Sequence, residues 1–310
     1  MTTRLTKEGR PAAGTDYLSE TRHRKLGFTL ALAGLILAVV AFVANVAAAG
    51  LIGDGDEAGA SSVLAWSFGL TTTAFGTIKL AIGIVLIGIL VRLWLRVEAV
   101  KVALAGLKPQ AEARVVTGDI STPYGRAVAG REVPKPLPIH TMARRLWKPM
   151  LAMGYMAVVA GLVTSLVWSA DEASTAAAAW TQGLQFLGEG LLLAGISFLL
   201  GTILGSLREG GGEVQEALGL TVKTLKMPTT AKVFIGLMAL GVMAAMLQFV
   251  LYLVVAGGVD NTAAWFAWLG PLREVSLGLI LSGVVMALVT IGNVLGFQFD
   301  RIKEIVTTGN

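Results

Sequence analysis

Residues 184–206, LQFLGEGLLLAGISFLLGTILGS, decide the fold class. They hold one charged side chain, Glu189, among Leu, Ile, Phe, Gly and small hydroxyl residues. At about 1.5 Å of rise per residue, such a run crosses the roughly 30 Å hydrocarbon core of a bilayer. In lipid, a single segment can satisfy its own backbone hydrogen bonds only as a helix. Five further runs meet the same requirement, near 27–52, 70–95, 149–169, 232–256 and 274–298. The sequence therefore predicts an all-α polytopic membrane protein with six transmembrane helices. Composition agrees: a chain of 310 residues that is 55% hydrophobic and 15% charged, with mean hydropathy +0.72, departs strongly from a soluble domain.

The sequence pI of 9.6 would suit nucleic acid binding, but the positions of the charges give another reason for it. Arg4, Lys7, Arg10, Arg22, Arg24 and Lys25 precede the first span, and eleven Lys or Arg run from Arg92 to Lys148. Arg208, Lys223, Lys226 and Lys232 flank the fourth and fifth spans, and Arg301 and Lys303 follow the sixth. The alternate loops carry Asp54, Asp56, Glu57, Asp171, Glu172 and Asp260 instead. The positive-inside rule then predicts a cell-membrane protein with both termini in the cytoplasm, its basic residues meeting anionic lipid headgroups rather than nucleic acid. Val46-Ala47-Ala48-Ala49 offers the small residues of a signal-peptide cleavage site. The apolar run before it is too long for a signal core, so the segment is read as the first span.

The chain also reads as three copies of a helix hairpin with an amphipathic tail. A tryptophan recurs before each returning helix, at Trp66, Trp180, and Trp265 with Trp268. Indole rings settle where lipid meets water, so these mark the outer interface. Near the inner ends, Gly201 with Gly205 and Gly292 with Gly296 share a G-x-x-x-G spacing, which lets another helix backbone approach, either within the monomer or between copies. Beyond these ends run stripes expected to form membrane-surface or partner-binding helices: Val97, Val100, Leu104 and Leu107; Val214, Leu218, Val222 and Leu225; and a third from Arg301. Gly210-Gly211-Gly212 is expected to interrupt the fourth helix, and Pro123, Pro134, Pro136, Pro138 and Pro149 to keep a long helix out of loop 109–148. The resulting units are a cytoplasmic segment 1–26, hairpin and surface helix 27–108, a Pro-rich loop 109–148, a second hairpin and surface helix 149–231, and a third hairpin with tail 232–310.

A charge at the bilayer centre costs about 2.5–3.5 kcal/mol on insertion scales, so Lys79, Glu189, Arg273 and Glu274 are functional candidates by default. Aligning the three units on Gly88, Gly201 and Gly292 sets Lys79 opposite Leu192 and Gly283, which predicts charges in different layers or on different faces and no matched ring. A pairing of Lys79 or Arg273 with Glu189 across the bundle remains open, as a structural ion pair. The amides Asn45, Gln248 and Asn293 are expected to hydrogen-bond between helices, with a lesser expectation of lining a solute path.

Other chemistry is sparse. The chain has no cysteine, and its two histidines, His23 and His140, lie outside the expected spans, so no membrane-embedded bis-histidine haem is expected. No phosphate-binding glycine loop, zinc-binding helix motif or nucleophile elbow is present, and neither a cofactor nor a metal is expected. Three two-helix hairpins resemble the layout of mitochondrial carriers. Their P-x-[DE]-x-x-[KR] motif is missing, Gly53-Asp54-Gly55-Asp56 standing after the first span, and the likeness assigns no family. The expectation is a non-catalytic membrane subunit or scaffold, with other membrane subunits or a second copy as partner; the alternative is a channel or transporter for a small solute.

Overall fold

The computed structural model describes residues 18–104, 127–130, 137–171, 173–218, 222–225 and 227–307. Along the chain run α1 (Leu18–Gly53), α2 (Glu57–Leu104), β1 (Ala127–Gly130), α3 (Pro138–Ala170), α4 (Thr175–Ala217), β2 (Val222–Leu225), α5 (Thr229–Ala256) and α6 (Thr262–Thr307). All six helices are long and apolar enough to cross a membrane. This is a multi-pass membrane protein.

Each helix outruns its apolar window, and the caps explain where three of them start. Asp56 Oδ1 accepts from the Gly59 amide, Ser174 Oγ from Ala177 and Asn261 Oδ1 from Ala264. Each side chain satisfies one of the orphan amides of a first turn, beginning α2, α4 and α6 well before their apolar runs. Asn261 has φ 55°, a left-handed conformation that asparagine tolerates better than most residues. Trp66, Trp180, Trp265 and Trp268 consequently stand on helices rather than in loops.

α4 is the axis of the bundle. Its most apolar window is 94% buried, against 17% for α1. α3 packs along α4, α5 along α6 and α1 along α2, while α2, α5 and α6 also contact α4. Glycines on α4 set these distances. A Cβ at Gly188 would lie 2.7 Å from the Val158 amide nitrogen, and one at Gly195 would lie 2.9 Å from that of Leu151, so α3 rests against the α4 backbone. On another side, a Cβ at Gly190 would lie 2.8 Å from Ala245 Cβ on α5. Close backbone approach of this kind is how helices gain van der Waals contact in lipid, where the hydrophobic effect supplies little. Around α4 the buried core gathers Leu90, Leu151, Val158, Leu192, Leu199 and Ile280.

Several expectations fail for identifiable reasons. Gly210-Gly211-Gly212 does not break α4, which runs on to Ala217. These glycines make room instead, since a Cβ at Gly210 would lie 2.7 Å from Val97 Cγ2 and one at Gly211 would lie 2.5 Å from Gln298 Nε2. Pro149 lies inside α3, and Pro138 occupies its first turn, where the missing amide costs nothing. An interior proline forfeits one hydrogen bond, but neighbouring helices in a membrane bundle make this tolerable. Residues 138–148 are therefore helical rather than part of a loop. The stripe ending at Val222 and Leu225 is not one helix: Val222–Leu225 form a strand antiparallel to β1, with Ala127 opposite Leu225 and Gly130 opposite Val222. Gln215 near the end of α4 holds that strand, its Oε1 accepting from the Lys223 amide at 2.9 Å and its Nε2 donating to the Lys223 carbonyl at 3.0 Å. The first and third stripes continue α2 to Leu104 and α6 to Thr307 rather than forming separate helices. Leu107, Pro123, Pro134, Pro136, Glu172 and Lys226 lie outside the described residues.

Of the four packing glycines, Gly205 meets the His140 ring and Gly201 meets Ala143, at hypothetical Cβ distances of 3.0 and 3.4 Å. At Gly292 and Gly296 a Cβ would meet nothing within 4 Å among the described residues. These two glycines are exposed and pack against none of the described residues. G-x-x-x-G spacing fixes a common face but not what the face meets.

Candidate functional site: a buried ion-pair cluster

The polar group that the fold assembles most completely is centred on Glu189 of α4, which is 2% exposed. Lys79 of α2 reaches its Oε1 at 2.9 Å, and Arg273 of α6 donates to its Oε2 from Nη2 at 2.7 Å and from Nε at 3.3 Å. The Arg273 guanidinium also lies 4.3 Å over the ring of Phe186, one turn from Glu189 on α4, and 3.5 Å from the exposed carboxylate of Glu274. Both oxygens of the buried carboxylate thus have cationic partners. The cations are held by a carboxylate, a π face and a second acid at the rim.

This arrangement corrects the expectation of separate layers. Lys79, Glu189 and Arg273 meet at one place because the long, flexible stems of lysine and arginine cover the offset between their helix positions. Glycine alignment compares Cα positions and misses that reach. Geometrically, the cluster ties α2, α4 and α6 together through one acidic group.

The amides behave differently from one another. Gln248 is buried and donates to the Leu269 carbonyl at 2.9 Å, crossing from α5 to α6. Asn45 is exposed on α1, donates to the Ala41 carbonyl and accepts from Ser67 at 3.4 Å. Asn293 is 9% exposed, and its Nδ2 finds no partner among the described residues. Trp180 packs edge-on against Phe249, and Trp265 against Trp268 at 5.5 Å between ring centres.

Sequence reasoning missed a second polar set. Thr181 and Gln185 are fully buried two turns and one turn ahead of Glu189 on α4; the Thr181 hydroxyl and both amide atoms of Gln185 have no partner among the described residues. Ser197 Oγ, further along the same helix, is also without one. Spacing of four from 181 through 185 to Glu189 is the available signal for the first two. At the basic end, Arg144 pairs with Glu209, tying α3 to α4; this pair lies outside the expected spans. Among the described residues, no group of three or more His, Asp or Glu side chains is placed to hold a metal ion. Compared with family models, curated proteins and solved structures, the chain matches none.

Proposed function

We propose that this chain is a non-catalytic membrane subunit or scaffold, a closed bundle around α4 whose role is to hold partners in the bilayer. The observation that carries the reading is the self-sufficiency of the Glu189 cluster. Its carboxylate is saturated by Lys79 and Arg273, and Glu274 stands beside Arg273. Buried charges that satisfy one another fix geometry, whereas transport or catalysis needs a group left available. In this reading both termini and the basic loops face the cytoplasm. The pairing of consecutive helices and the caps Asp56, Ser174 and Asn261 support a threefold hairpin repeat.

The reading expects the full chain, extracted from its native membrane in mild detergent, to migrate in a defined complex with a second membrane subunit or another copy in fixed ratio. A chain that migrates only as a monomer contradicts it. Orientation is tested separately in the cysteine-free chain. Asp56→Cys and Asp171→Cys are expected to react with an impermeant maleimide from outside the cell, and reaction only after the membrane is opened overturns that assignment.

A specific observation favours a second reading, a channel or transporter. Buried amide and hydroxyl groups are nearly always hydrogen-bonded, and the atoms of Thr181 and Gln185 that have no partner among the described residues invite water toward Glu189. A solute path along this face of α4 would use them.

A further inference from the structure

Two cavities meet at the basic end of the bundle, sharing His140, Leu204, Met227 and Ala231 in their walls. The first, of about 300 Å³, lies between the end of α4, β2, the start of α5 and the end of α6. Arg208, Lys223, His140 and Gln298 face it, and none of the described residues that line it is acidic. The neighbouring Glu209 is engaged by Arg144, while Arg208 Nε has no partner among the described residues. The second, of about 290 Å³, is an apolar cleft between α3 and α5 with α4 as its floor. Phe198, Phe234 and Met238 line it, and the exposed side chains of Met142 and Met243 stand at its rim. From Ala231 to Met243 the cleft follows α5 for about 18 Å of helix rise, close to half of the roughly 30 Å hydrocarbon thickness. Methionine walls adapt to an irregular chain.

We infer that these joined cavities form a binding site for one anionic phospholipid of the leaflet at the basic end. The phosphate sits toward Arg208 and Lys223, where a guanidinium offers paired donors to phosphate oxygens. One acyl chain enters the cleft along α5, and the other remains in bulk lipid. Charge and apolar volume thus lie in the order in which a headgroup and its chain enter the membrane.

The test uses the purified, delipidated full chain in neutral detergent, titrated with dioleoylphosphatidylglycerol, with dioleoylphosphatidylcholine and with glycerol 3-phosphate, reading bound lipid by native mass spectrometry and the melting midpoint. The anionic lipid is expected to bind more tightly than the zwitterionic one. Arg208→Gln and Lys223→Gln should each weaken it about fivefold, the equivalent of roughly 1 kcal/mol per charge near the headgroups. Ala239→Trp, at an exposed position on the cleft wall, should weaken both lipids while keeping their ratio, and it decides the matter if Arg208→Gln does not fold. Glycerol 3-phosphate alone should neither bind nor stabilise. Equal binding of the two lipids to the unaltered chain overturns the inference, as does undiminished binding in Ala239→Trp and Lys223→Gln, or saturation of the site by glycerol 3-phosphate.

Discussion

Glu189→Gln is expected to destabilise the bundle by about 3 kcal/mol, the lower end of the 3–5 kcal/mol that follows removal of one partner from a buried ion pair. Glutamine fills nearly the same volume, so the loss is electrostatic. Lys79 would then lose its carboxylate partner, and Arg273 would keep only the exposed carboxylate of Glu274 at 3.5 Å. Their exposures of 18% and 25% let them turn partly outward, which limits the cost. Lys79→Met combined with Glu189→Gln should recover part of the loss, because one of the cations that Glu189 had paired is then gone. The check is the detergent melting midpoint of the unaltered chain and the two variants. A Glu189→Gln protein as stable as the original would mean that the cluster does not hold α2, α4 and α6 together.

Gly188→Leu is expected to have a comparable or larger effect. A Cβ at this position would lie 2.7 Å from the Val158 amide nitrogen and 2.8 Å from the Gly154 carbonyl oxygen. Those are backbone atoms, so α3 as a whole must move away from α4. Overpacking costs about 1–3 kcal/mol where side chains can shift, and more where the backbone must. Gly292→Leu is the control. It carries the same substitution on a glycine with open space around it, and its effect should stay within about 0.5 kcal/mol. Equal loss of folded yield in both variants would contradict the packing around α4.

The contrast between these two glycines shows what was legible in the sequence. Six spans could be found because the requirement for about 20 apolar residues is severe and purely local. The central position of α4 was less legible, since every span is apolar and only the density of glycine along α4 distinguishes it. G-x-x-x-G pointed to Gly201 and Gly205, which face Ala143 and His140 of α3, and equally to Gly292 and Gly296, which meet nothing among the described residues; it does not relate Gly188 and Gly195, where the α3 backbone lies against α4. Helix ends were misjudged where tertiary contact overrides local propensity. The glycine run at 210–212 stays helical against α2 and α6, and Val222–Leu225 become a strand because Gln215 and β1 satisfy their backbone. Within the site, opposite charge identified the partners of Glu189, but Cα alignment hid the reach of Lys79 and Arg273. Gln185 is not legible in the sequence, because one amide in an apolar run looks ordinary until its burial is known.

The central claim, a closed bundle whose buried charges serve structure, is tested most directly by reconstituting the purified chain alone in liposomes. Flux of protons and of small ions and neutral solutes would be measured for the unaltered chain and for Glu189→Gln refolded to the same yield. The account predicts that neither exceeds protein-free liposomes and that the variant differs only in stability. Flux through the unaltered chain that Glu189→Gln abolishes, with the variant still folded, would contradict it and make the Thr181, Gln185 and Glu189 face of α4 a solute path.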